Sequence, residues 1–91
     1  MKVSKRVTYG IMAAVDLAIN ATESPIQARA IAKRQGIPIR FLEQVLHALR
    51  HADLVESHRG AQGGYLLSRE SSRISIADIL EALEGPLFHR A

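Results

Sequence analysis

Residues 36–52, Gly-Ile-Pro-Ile-Arg-Phe-Leu-Glu-Gln-Val-Leu-His-Ala-Leu-Arg-His-Ala, constrain this chain more than any other stretch. Leu42, Val45, Leu46 and Leu49 recur at helical spacing and define one apolar stripe. At about 100° per residue, Arg40, Gln44, His47 and His51 point the opposite way, with Glu43 at the edge. Opposite its core stripe, such a helix shows hydrogen-bonding side chains of long reach. Just before it, residues 28–35 read as a short helix that Gly36 ends. Two helices joined by a tight turn containing Gly are the layout of a helix-turn-helix. The second helix of that motif enters the DNA major groove with its N-terminal residues against base edges. Residues 38–52 therefore read as a recognition helix.

Ninety-one residues make one small domain, long enough to enclose a core without staples. A hydrophobic fraction of 47% argues for a globular fold over disorder. With no cysteine in the sequence, disulfides, thiolate zinc sites and cysteine-ligated iron–sulfur clusters are excluded within this chain. No run approaches the roughly 18 consecutive apolar residues of a membrane span. The basic start leads into a helix containing Asp16, not into the apolar core of a signal peptide, and a cytoplasmic protein is the default expectation. The formal charge of +3 says less than its distribution. Residues 1–60 hold nine Lys and Arg against five acids, and the remainder three against four. Positive charge gathers around the proposed motif, as phosphate contact requires; a solvated basic surface is the plainer alternative.

Ser4 caps a first helix expected to run to about Ala21, with Val7, Ile11, Ala14, Val15 and Ala18 as its buried stripe. Lys5 and Arg6 at its start oppose the helix dipole. Phosphate contact accounts for them, and so does a tolerated surface cost. Residues 20–25 are a polar breaker between helices. The next helix begins near Gln27 or Ala28 without a strong cap, and Ile31, with Ala28 and Ala32 beside it, faces inward. Gly36 supplies the left-handed conformation that ends it, and Pro38 suits the first turn of the helix after.

Beyond Asp53 the period changes from helical to extended. Residues 54–59 and 65–68 read as strands around Gly60-Ala61-Gln62-Gly63-Gly64, where glycine permits positive φ and close backbone approach. A hairpin immediately after a helix-turn-helix is a wing, and Arg59 stands at its tip end, within reach of a minor groove or a phosphate. An ordinary surface hairpin is the alternative. Residues 71–73 read as a loop. Ser75 then caps a last helix with Asp78 as its capping-box partner and Ile74 and Ile79 as a hydrophobic staple. Ile76, Ile79, Leu80 and Leu83 are expected to face inward, and Gly85-Pro86 stops the helix. The expected fold is mostly α with a small β-hairpin, a single winged helix-turn-helix domain over residues 1–91. Within it the helix-turn-helix spans 27–52, the wing 54–68 and the last helix 75–84.

Several runs carry a resemblance. Ile31-Ala32-Lys33-Arg34-Gln35-Gly36-Ile37, Phe41-Leu42-Glu43-Gln44, Leu54-Val55 and Arg59-Gly60-Ala61-Gln62-Gly63-Gly64-Tyr65 closely resemble the Rrf family of bacterial winged-helix transcription regulators, the IscR-, NsrR- and CymR-like proteins. Tyr9, Asp16-Leu17-Ala18, Ile76-Ala77-Asp78 and Glu84-Gly85-Pro86-Leu87 match as well, so the resemblance covers essentially the whole chain. It implies a homodimeric regulator that reads a roughly palindromic DNA operator. Glu43 and Gln44 match base-reading positions, and Arg59, with Gly60, Gly63 and Gly64 shaping the wing, matches the arginine that enters the minor groove. Arg40 occupies a third reading position, where the family often has a small hydroxyl residue, so different bases are expected to be preferred. Lys5, Arg6, Tyr9 and His47 are assigned to DNA phosphate. Pro38 stands where the family has a capping Ser.

Family members that sense through a cluster carry three cysteines just beyond the position where this chain ends, and the family dimerises through a long downstream helix. Neither is found in these 91 residues. Both a fragment of a longer regulator and a naturally short member fit this pattern; the chain alone is expected to carry no cofactor and to be monomeric or weakly dimeric, with a homodimer in a longer form.

Other functions leave weaker traces. His47 and His51, at i and i+4, have chelating geometry, but no third ligand at compatible spacing completes a metal site, although His58 on the strand could approach. No glycine-rich phosphate loop or nucleophile elbow points to an enzyme. RNA is disfavoured because side chains cannot read its deep, narrow major groove and the four aromatics do not form a stacking platform. The main rival is a winged helix that meets another protein through the exposed face of its recognition helix.

Overall fold

In the computed structural model, which describes residues 4–21 and 23–85, the chain begins with the expected cap. The Ser4 hydroxyl accepts from the Val7 N–H at 3.3 Å and opens α1 (Lys5–Asn20). The first turn of α1 contains no acid of its own. Instead the Ser4 hydroxyl donates at 3.0 Å to the Glu84 carboxylate, which brings a negative charge from the far end of the chain to the positive end of this helix.

The buried face of α1 differs from the expected one. Val7, Gly10, Ala13, Asp16 and Leu17 are buried, whereas Val15 is 49% exposed and Ile11, Ala14 and Ala18 are half-buried. Gly10 and Asp16 explain the rotation. The last helix crosses so closely at Gly10 that a β-carbon there would meet the Leu83 side chain, and Asp16 turns towards Arg34 and Gln35 of the next helix.

Helix α2 (Ala28–Gln35) starts at Gln27 without a side-chain cap and ends at Gly36, whose φ of 66° and ψ of 36° are left-handed. The Ile37 N–H then returns to the Ala32 carbonyl at 3.0 Å, and the Ile37 side chain is buried under the turn. Pro38 takes the cap position, and α3 (Ile39–His51) begins one residue later. Leu42, Val45, Leu46 and Leu49 of α3 are fully buried, as their spacing demands. Asp53, at φ 60°, makes the left-handed exit from the helix, and Leu54 is buried behind it.

Strands β1 (Val55–His58) and β2 (Gly64–Leu67) pair antiparallel, with Val55 opposite Leu67 and His58 opposite Gly64. The hairpin is not free-standing. Ile26, in the segment before α2, exchanges two backbone hydrogen bonds with Tyr65, at 3.0 and 2.8 Å. Residues 71–73, expected as a loop, form one 3-10 turn.

The Ser75–Asp78 capping box is complete at the start of α4 (Ile76–Glu84), and Ile79 and Leu83 are buried. Ile76 faces outward at 60% exposure, contrary to expectation. As the first residue of α4, it precedes the side chains that turn onto α1. Gly85 closes the helix, whereas Pro86, Leu87 and Phe88, and Thr22 in the first loop, lie outside the described residues. One core unites Val7, Ala13 and Leu17 of α1, Ile31 of α2, the α3 stripe, Leu54, Val55 and the inner face of α4.

Candidate nucleic-acid interface

The buried stripe of α3 leaves the opposite face in solvent, and Arg40, Glu43, Gln44, His47 and His51 are all exposed there. Arg40, Glu43, Gln44, His47 and Ala48 line one side of an open groove of about 760 Å³. Arg6, from the first turn of α1, lines the other side. Two permanent cations thus flank one carboxylate, one amide and one imidazole. A groove of that make-up offers donors and acceptors for base edges together with positive charge for phosphate.

Packing accounts for the arrangement. The Tyr9 ring meets the Phe41 ring edge-on, with centroids 5.1 Å apart and planes at 89°. This contact packs the N-terminal part of α1 on the first turn of α3, the two elements whose residues line the groove. Tyr9 itself is half-buried, and Lys5 is exposed but does not line the groove. His47 and His51 meet edge-on, with ring centroids 4.5 Å apart.

Arg59 is exposed just past β1, and it does not line the groove of α3. A tight turn follows it, closed by the Gly63 N–H donating to the Gly60 carbonyl at 2.9 Å. A β-carbon on Gly63 would meet the backbone of residues 58–60. Gly64, at φ 146°, lies so close to Ile26 that a β-carbon would sit 2.5 Å from the Ile26 carbonyl. Glycine is required there both for conformation and for space. On the hairpin, His58 and Glu56 are paired at 2.9 Å, both in solvent.

The least expected feature lies behind α2. Asp16, 1% exposed, receives Arg34 Nε and Nη2 at 2.9 and 2.8 Å, Gln35 Nε2 at 2.9 Å and Asn20 Nδ2 at 3.4 Å. Hydrogen bonding from Arg34 holds the Asp16 carboxyl below its ordinary range; burial opposes this, and Gln35 and Asn20 reinforce it. Arg34 and Gln35 are the last two residues of α2, so this latch ties the end of α2, and the turn into α3, to α1. Arg34 is thereby engaged within the protein. Asp16 as the one acid of α1, set among apolar residues 10–19, was the available sequence signal.

Over residues 3–90 the chain matches the Rrf2 family, described as an iron-dependent transcriptional regulator. This chain belongs to the Rrf2 family. Among its relatives, CymR of Bacillus subtilis, an HTH-type transcriptional regulator, is 40% identical over 87 residues, covering 96% of this chain and 63% of that protein. IscR of Xenorhabdus nematophila, of the same description, is 38% identical over 84 residues, covering 92% of this chain and 51% of that protein. The solved structure of CymR, the global cysteine regulator of B. subtilis, superposes with a TM-score of 0.90 at 37% identity, over all of this chain and 70% of the other. That of T. potens IscR gives 0.87 at 48% identity, over 93% and 62%. The winged helix-turn-helix is thus established. The chain spans between about half and two thirds of the length of these two relatives.

The iron named in the Rrf2 description finds no matching donor set among the described residues. The sequence has no cysteine, and among the described residues no three His, Asp or Glu side chains are grouped to hold a metal. His47 and His51 stand together without a third ligand among those residues. No described helix is long and apolar enough to cross a membrane.

Proposed function

We propose that this chain is the DNA-reading head of an Rrf2-type transcription regulator and has no catalytic role, with α3 in the major groove and the hairpin over the adjacent minor groove. The observation that carries this reading is the groove that joins Arg6 of α1 to Arg40, Glu43, Gln44 and His47 of α3. Arg40 pairs with guanine, Gln44 with adenine, and Glu43 accepts from the cytosine amino group. Lys5, Arg6, Tyr9 and His47 hold phosphates. Arg59 enters the minor groove, with Gly60, Gly63 and Gly64 letting the hairpin backbone approach.

In a longer, dimeric form such a regulator acts in the cytoplasm as a homodimer on a palindromic operator. Its second half-site engagement is effectively intramolecular, and these 91 residues alone bind more weakly and without iron. The test is a set of gel shifts across salt concentration, with site selection from random duplex. Lys5→Ala, Arg6→Ala and Arg59→Ala should weaken binding to all sequences and flatten the salt slope by about one unit for each phosphate no longer neutralised. Arg40→Ala and Gln44→Ala should instead cost about 1–3 kcal/mol at particular bases. Equal losses on random and selected DNA would refute the base-reading roles. Absence of salt-dependent duplex binding would favour a protein-docking module.

A further inference from the structure

Among the described residues, Val15, Ile19, Ile39 and Ile76 are large apolar side chains left in solvent. Three of them share a region: Val15 and Ile76 line an apolar groove of about 210 Å³ between α1 and the start of α4, and Ile19 lies one turn beyond Val15. Ile39 stands apart from these. It is the first residue of α3 and 41% exposed, and it takes no part in the core that holds its neighbours Phe41 and Leu42.

A β-branched residue in that place gains little from burial and has only modest helix propensity. Its position suggests another reason for it. Ile39 precedes Arg40 and lies on the flank of the helix between Glu43 and the buried Leu46, about 40° from Glu43 and just outside the groove lining, at the end of the helix that enters a groove first. Among the base edges of a major groove, the thymine C5-methyl is the apolar feature, and apolar side chains mark it. The stiff χ1 of isoleucine also limits the entropy cost of docking.

We propose that Ile39 is a specificity-determining residue that reads a thymine by packing on its C5-methyl group. The proposal rests on the DNA-binding reading above and adds a base to it. Four residues of helix rise about 6 Å, against about 3.4 Å per base pair. The thymine therefore lies within about two base pairs of the base that Glu43 reads.

The test begins with selection of a preferred site from random duplex by the wild-type chain. Each thymine of that site is then replaced singly by deoxyuridine, which removes only the methyl. With the wild-type chain, one such replacement should weaken binding about three- to five-fold, the factor that burying one methyl supplies. With Ile39→Ala the same replacement should leave affinity essentially unchanged. Ile39→Val, which keeps a branched apolar side chain, and Arg40→Ala, which removes a different base partner, should both retain the sensitivity. A selected site in which no thymine methyl matters, or an Ile39→Ala chain that remains fully sensitive, overturns the proposal while leaving DNA binding intact. Failure to bind duplex DNA at all defeats the DNA-binding reading, and this inference with it.

Discussion

Replacing Asp16 by Asn preserves the side chain's size and removes its charge. If the amide nitrogen takes the place of Oδ2, Arg34 Nε and Gln35 Nε2 lose their acceptor; if it takes the place of Oδ1, Arg34 Nη2 and Asn20 Nδ2 lose theirs. Each hydrogen bond to a charged group contributes about 1.5–3 kcal/mol. Water can re-solvate the Arg34 side chain, which is 43% exposed, so the loss falls towards the low end. For this variant we expect a destabilisation of about 2 kcal/mol, and a melting temperature about 10 °C lower for a domain of this size.

The pH dependence identifies the cause. Asp16 is held below its ordinary range in the folded chain, so on acidification the unfolded chain takes up the proton first and folding stability falls. The Asp16 contribution is complete above the ordinary aspartate value of about 4. It is lost as the pH falls below that value and through the depressed folded value. Urea denaturation followed by circular dichroism, from about pH 7 down to about pH 3, should show a gap between wild type and Asp16→Asn that is full near neutrality and narrows as the pH falls below about 4. A gap that stays constant down to the lowest pH would show that the loss comes from packing. A gap near zero at neutral pH would show that the latch contributes nothing.

Two other substitutions separate folding from binding. Gly64→Ala places a β-carbon 2.5 Å from the Ile26 carbonyl at a φ of 146°, so the hairpin should shift away from Ile26 and DNA affinity should fall further than thermal stability. Equal losses of both, measured side by side, would indicate a general folding defect. Ser75→Ala removes the acceptor of the Asp78 N–H at the start of α4 and should cost about 1 kcal/mol in urea titration. DNA affinity should be unchanged, since α4 carries no reading residue.

The elements themselves were legible in the sequence because their determinants are local. The α3 stripe, the Gly36 turn and the Ser4 and Ser75 caps depend on residues within a few positions of one another, and each forms as expected. The exposed face of α3 was legible for the same reason: hiding Leu42, Val45, Leu46 and Leu49 leaves Arg40, Gln44 and His47 outside. Tertiary structure decided how α1 is rotated. Helical spacing allowed Val15 an inward place, but close approach of α4 at Gly10 and the pairing of Asp16 with Arg34 turned another face inward. Arg34 is 18 positions from Asp16, and Tyr65 is 39 from Ile26 by the same numbering. No periodicity links residues so far apart. The groove itself is of this kind, because Arg6 and Arg40 belong to different helices and come to line one groove only when α1 packs on α3.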